Sequence, residues 1–140
     1  MMRDPEKTVG NILDKQSVID ISSVDEEGYP RTRAMGAPRV REGIKEFYFS
    51  TNTSSGKVDL YRKNPKACIY FCDKRFYRGV MLKGNMEVLE DMDSKEMIWQ
   101  SKDTMFYPGG ITDPDYCVLK FTAIGGRYFS NGKTEEFIIE

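Results

Sequence analysis

Short runs of alternating or aromatic apolar residues, interrupted by polar turn residues, dominate this chain, and most of them have the period of a half-buried strand. Ser17 to Val24 reads as a strand. The polar run DEEGYP, Asp25 to Pro30, turns the chain back, and the strand that follows carries Arg31 and Arg33, completing a hairpin. A turn around Glu42-Gly43 leads into Phe47, Tyr48 and Phe49, which suit a pleated, half-buried strand. Ala67 to Asp73 and Gly79 to Glu90 form a further antiparallel pair. Gly84, inside the second of these, predicts a bulge or a bend such as a barrel corner. Tyr116 to Ala123 alternates, and Asn131-Gly132 is the strongest short hairpin signal in the sequence.

Three stretches break the strand pattern. Asp4 can cap a helix with Pro5 at its first position, running to about Asp14. A short helix starts at about Ser55 and stops at Asn64-Pro65, because the residue before proline is pushed out of helical geometry. Asp93 to Ser101 is an amphipathic candidate, with Met97 and Ile98 on one side and Lys95 and Glu96 on the other. Residues 102–115 hold two prolines, two glycines and two aromatics; Phe106 and Tyr107 are expected to pack on their own barrel or on a second subunit. Six or seven strands joined mostly by short turns predict a mainly β, small antiparallel barrel rather than a βαβ sheet. A length of 140 residues fits a single domain.

Charge and composition exclude several roles. The net charge is −1 with acidic and basic residues mixed throughout, so no nucleic-acid footprint or anionic-membrane anchor is expected. No apolar run approaches the roughly 20 residues needed to span a bilayer, and MMRDPEKTVG lacks the core of a signal peptide, so the expected compartment is the cytoplasm. The three cysteines, Cys68, Cys72 and Cys117, form no CxxC, and there is no histidine. Structural zinc, Ser-His or Cys-His nucleophile pairs and HExxH sites are therefore not expected. Cys68 and Cys72 would lie about 13 Å apart on one strand, too far for a disulfide. Small buried hydrophobes are the expected role of all three cysteines.

One region carries candidate chemistry. In FYFSTNTSSGKVDLYRKNP, Phe47 to Pro65, Ser50 to Ser55 are all Ser, Thr or Asn, residues that leave a strand by bonding to nearby backbone. The helix that follows opens with unpaired N–H groups and the positive end of its dipole. Lys57 adds a cation in that first turn, where the dipole disfavours it unless an anion sits between them. Upstream, Arg31 and Arg33 leave one face of their strand. Read separately, these are a capped helix with an exposed lysine and two solvated edge arginines. Together they supply a forked donor and a point charge for one phosphate. TNTSSGKV is not a Walker A loop: it lacks the first glycine, and Val58 replaces the magnesium-binding hydroxyl.

The order and spacing of DEEGYPRTRAM, FYFSTNTSSGKVDLYRKNP, LKGNMEVLED and YPGGITDPDYCVLKFT resemble the pyridoxamine 5′-phosphate oxidase-like flavoproteins, in particular their short, general-stress-protein-like members. The resemblance covers nearly the whole chain and implies an FMN-binding split barrel. It implies flavin contacts from Arg31, Arg33, Ala34 and Met35 and phosphate contacts from Ser50, Thr51, Ser55 and Lys57. Such proteins are typically homodimers with FMN at the subunit interface, which implies that the partner, through its loop from Phe106 to Pro114, completes the pocket. Two departures stand out: Ala34 follows the second arginine where many relatives have proline, and Gly56 stands where the full-length oxidase often has arginine. The oxidase's Arg-Leu-His-Asp-Arg segment is absent, which puts pyridoxamine phosphate oxidation in doubt. The implied activity is electron transfer between a reduced donor such as a nicotinamide and a small molecule, with the flavin doing the redox chemistry. The alternative is non-enzymatic binding of flavin, haem or a deazaflavin for storage or sensing. A barrel that stacks single-stranded nucleic acid is opposed by the near-neutral charge.

Overall fold

A 15-residue strand, β7 (Tyr116–Ser130), organises the sheet by changing partners along its length. Its first half pairs with β4 (Glu46–Asn52) and its second half with β8 (Lys133–Ile138), while β6 (Arg78–Leu89) runs along its other side. Between the halves the register on β6 steps from Lys83–Gly125 to Gly84–Ala123, leaving Ile124 unopposed as a bulge. Gly84 permits this close approach, since a Cβ there would stand 2.0 Å from the Thr122 carbonyl oxygen. The bulge bends the strand and turns a flat ladder into a curled one.

The computed structural model describes residue 2 and residues 4–140. With β1 (Val18–Val24), β2 (Pro30–Gly36), β3 (Val40–Glu42) and β5 (Lys66–Asp73), the strand order is β2-β1-β5-β6-β7-β4-β3, with β8 on β7; every pairing is antiparallel. This is the expected split barrel, an open antiparallel sheet. Its core is closed by α1 (Pro5–Asp14) through Val9, Ile12 and Leu13 and by α2 (Gly56–Lys63) through Val58 and Tyr61. Asp4 caps α1 by accepting from the Lys7 amide at 3.2 Å. At the last hairpin Asn131 and Gly132 both take positive φ, the turn geometry that matches strand twist.

Several expectations are corrected. The sheet has eight strands rather than six or seven: β3 is three residues of edge pairing with no alternation to announce it. β7 continues past Ala123 to Ser130, because glycines at 125 and 126 interrupt the pattern without ending the strand. In α3 (Met92–Ile98) Ile98 is buried as expected, but Met97 is exposed and Lys95 is buried. Seven residues leave the helical phase loosely set, and the Lys95 ammonium finds a place 5.6 Å from the centre of the Tyr116 ring. Tyr107 packs on its own barrel as expected, against Trp99 and Tyr116 in a second small core, and Phe106 is exposed on the single chain, where a second subunit could still meet it. Cys117 is buried, while Cys68 and Cys72 are only half-buried. No described helix is long and apolar enough to cross a membrane.

Candidate functional site

The β1–β2 hairpin and the start of α2 enclose a cleft of about 640 Å³. Asp25 builds the hairpin's turn: one carboxylate oxygen accepts from the Glu27 amide at 3.0 Å and the Tyr29 amide at 2.8 Å. Gly28, at φ +88°, supplies the left-handed residue that the turn requires. The Tyr29 amide, followed by Arg31 among other donors, holds the Asp25 carboxyl below the usual carboxylate range. In register, Arg31 stands opposite Ser23 and Arg33 opposite Ile21. Both arginines therefore leave the face on which Ile21 enters the core. The edge position of β2 lets them extend past the sheet and line the cleft.

The two guanidinium groups have different fates. Arg31 Nε donates to Asp25 at 3.1 Å and is neutralised within the hairpin. Arg33 Nη1 instead donates to Ser55 Oγ at 3.2 Å, and Lys57 Nζ donates to the same oxygen at 2.9 Å. Neither Arg33 nor Lys57 has a carboxylate within salt-bridge distance among the described residues. Burial first, and then the neighbouring Arg33 charge, lower the Lys57 pKa from its ordinary 10.5. Two cations thus meet at a neutral hydroxyl, which can accept from both without cancelling either charge. The N-cap residue Ser55 spends its side chain there and makes no capping bond. The first amides of α2 add their positive dipole end, and Gly56 leaves the approach open, with nothing within 4 Å of where a Cβ would be.

The remaining residues implied by the resemblance lie apart from this point. Ala34 is exposed on β2, and Met35 packs against the core. Ser50 and Thr51 sit in the β4–β7 ladder opposite Val118 and Cys117, with Thr51 buried, and neither lines the cleft. Sequence reasoning missed Asp115, which fixes the hydroxyl-rich loop. It accepts from Thr53 Oγ1 at 2.9 Å, from the Ser54 amide at 2.9 Å and from Ser54 Oγ at 3.2 Å. The Ser54 amide contributes most to lowering its pKa. Those hydroxyls therefore brace the loop and leave Ser55 Oγ to accept from Arg33 and Lys57. The only hint was the Pro114-Asp115 step, 61 residues from Ser54. Among the described residues no cluster of three or more His, Cys, Asp or Glu could hold a metal ion.

Comparison with known proteins agrees with this architecture. The sequence profile of the pyridoxamine 5′-phosphate oxidase family matches residues 6–130. A solved structure from Clostridium acetobutylicum, described as related to general stress protein 26 of Bacillus subtilis and of the pyridoxinephosphate oxidase family, is 37% identical. It aligns with TM-score 0.88 over 99% of this chain and 97% of its own. An FMN-binding protein from Nostoc punctiforme, at 12% identity and TM-score 0.73 over 100% of this chain and 99% of its own, shares the fold. So does a haem-binding protein from Mycobacterium smegmatis, at 14% identity and TM-score 0.77 over 99% of this chain and 59% of its own. A pyridoxine/pyridoxamine 5′-phosphate oxidase from Legionella pneumophila strain Lens is 32% identical over 74 residues, covering 53% of this chain and 34% of that protein. The chain thus spans about a third of the length of the curated relatives it matches. A profile match over most of the chain, and a near full-length relative with the same curled sheet, place this protein in the pyridoxamine 5′-phosphate oxidase family.

Proposed function

We propose that the cleft binds the phosphate of FMN and that the protein is a flavin-dependent oxidoreductase, passing electrons between a reduced donor such as a nicotinamide and a small molecule. The observation that carries this reading is the convergence of Arg33 and Lys57 on Ser55 Oγ without an acidic partner, beside the open N-terminus of α2. A phosphate dianion suits that arrangement: it would relieve the repulsion between the two cations and accept from the helix amides together. Bound FMN would supply the redox chemistry. The chain's own task would be to hold the phosphate with Arg33, Ser55 and Lys57, while Ala34 and Met35 continue β2 alongside the rest of the ligand. Asp115 would keep the loop in register.

A homodimer accords with the outer surface. β2 is exposed along almost its whole length, and beside it lies a depression of about 430 Å³ whose lining includes Val24, Pro30, Ala67 and Ile124. A second copy of the chain would cover this apolar surface. Three free thiols fit a reducing compartment such as the cytoplasm.

A second reading, binding without turnover, draws on the haem-binding relative in fold. The polar cleft, in which Arg33 and Lys57 share one hydroxyl, suits a phosphorylated flavin better than a porphyrin face. An absorption spectrum of the purified or FMN-reconstituted protein tests the first step: flavin bands are expected, and a Soret band would favour haem. Reduction of the bound flavin by NADPH tests the second, and its failure with all nicotinamide donors would favour storage or sensing. Sedimentation analysis should give twice the chain mass.

A further inference from the structure

Away from the cleft, one buried donor is left unanswered. Arg78, at the start of β6, gives Nη2 to Asp73 at 2.7 Å, but its Nε is shielded from solvent and has no acceptor among the described residues. Asp73 first, and then the Tyr128 hydroxyl beside it, favour the charged guanidinium, so Nε–H is a strong donor. A buried N–H in this state calls for an acceptor that the chain itself does not supply. Two adjoining depressions, of about 550 Å³ and 400 Å³, share Arg78, Tyr128, Ser130 and Asn131 in their walls and have no residue in common with the cleft beside α2. The larger carries two cations, Arg78 and Lys133, against one carboxylate, Glu135, which accepts from the Met2 amide at 3.0 Å. Lys133 has no carboxylate within salt-bridge distance among the described residues. The smaller is bordered by Phe76, 58% exposed, whose ring centre lies 5.6 Å from the Arg78 guanidinium carbon. Tyr77 takes φ +53° and packs edge-on against Phe129 at 5.7 Å, an arrangement that leaves the Phe76 ring facing outward.

From these features we propose a second ligand site, centred on Arg78, for a small monocarboxylate with an aromatic body. The carboxylate accepts from Arg78 Nε and from the hydroxyl and amide donors of Ser130 and Asn131, Lys133 offsets its charge, and the body lies against the Phe76 ring. A single excess positive charge in the wall matches a monoanion. With Asp73 already on Nη2, a phosphate dianion would be left partly uncompensated. Nε is covered in the free protein, so engaging it takes a rotamer change in the wall, a common event at binding surfaces. The site is independent of the flavin reading.

The test is titration of benzoate into the protein as purified, followed by backbone amide chemical shifts, with benzyl alcohol and inorganic phosphate as comparison ligands. Benzoate should move the amides of residues 76–78 and 128–134 and leave those of residues 55–57 in place. Arg78→Lys keeps a positive charge for Asp73 but lacks Nε–H, and it should weaken benzoate about tenfold, the loss of one charge-assisted contact. Lys133→Gln should weaken it about two- to fivefold, and less at high salt. Phe76→Ala should weaken benzoate but not acetate. Benzyl alcohol and phosphate should each bind about tenfold more weakly than benzoate. The proposal is overturned if benzoate leaves these amides unmoved, if the variants bind it as the wild type does, or if benzyl alcohol or phosphate binds as tightly. Shifts confined to residues 55–57 and lost in Lys57→Ala would place benzoate in the cleft and overturn it equally. Should Arg78→Lys fail to fold, Lys133→Gln and Phe76→Ala, both at exposed positions, decide the matter.

Discussion

Replacing Lys57 with alanine should weaken FMN binding without weakening the fold. In the structure Lys57 Nζ makes one hydrogen bond, to Ser55 Oγ at 2.9 Å, and faces Arg33. A hydrogen bond to a charged group is worth about 1.5–3 kcal/mol net. Lys57 is half-buried and partly screened, so the lower half of that range applies, about 1.5–2 kcal/mol, or about ten- to thirtyfold in Kd. Without ligand the balance differs. Alanine forfeits a modest bond but also removes a desolvated cation beside another cation, so stability should stay within about 1 kcal/mol of wild type.

The pH dependence has a definite sign. Because the folded Lys57 titrates below 10.5, the unfolded chain binds more protons between that lowered value and 10.5. Its contribution therefore makes the apo protein more stable as pH rises through this window. A bound phosphate favours the charged amine, so affinity should fall as pH climbs through the same window. Fluorescence titration over a pH series, with a parallel denaturation curve, measures both quantities, and Lys57→Arg should retain binding with a flatter pH profile. Unchanged FMN affinity in Lys57→Ala, or an affinity loss that merely tracks a loss of stability, would refute the assignment.

Further outcomes follow from the same geometry. Gly56→Arg, filling open space at the cleft, should tighten FMN binding in the same titration, because a forked donor is added where no atom obstructs it. Asp115→Ala should release Thr53 and Ser54 and weaken FMN binding, with faster amide exchange confined to the loop, while Asp115→Asn should recover part of the affinity. Asp103 is buried, pairs with both terminal nitrogens of Arg39 and accepts from the Gln100 amide at 2.9 Å. Asp103→Ala strands the guanidinium and should cost about 3–5 kcal/mol in urea denaturation. Burial pushes the Cys117 thiol up to about 11, so a thiol reagent should modify Cys72 in the native protein and reach Cys117 only on unfolding, while Cys68, which lines the depression assigned to the second copy, should be protected in the dimer.

What could be read from the chain was whatever the chemistry of neighbouring residues dictates. Pro5 after Asp4, Asn64-Pro65 and Asn131-Gly132 each constrain φ/ψ within a few residues, and the structure has a helix start, a helix stop and a tight turn at those places. Gly84 signalled a bend for a steric reason and lies at the bulge, although the extra residue, Ile124, is on the partner strand. Long-range partners were not legible. Asp115 on the hydroxyl loop and Asp103 on Arg39 each span more than 60 residues, and no local pattern separates such a carboxylate from a solvated one. The same limit explains the dispersal of the site residues. Arg33, Ser55 and Lys57 meet because a hairpin and a helix start happen to face each other, whereas Ser50 and Thr51, adjacent in sequence to that loop, remain in the β4 ladder.

Riboflavin and FMN share one ring system and differ by the terminal phosphate, so their relative affinity weighs the Arg33–Lys57 pair directly. Titrated side by side, FMN should bind at least about a hundredfold more tightly than riboflavin, the sum of two charge-assisted contacts in a half-open cleft, and the ratio should collapse in the Arg33→Ala, Lys57→Ala double variant. Equal affinity for the two ligands would contradict the account.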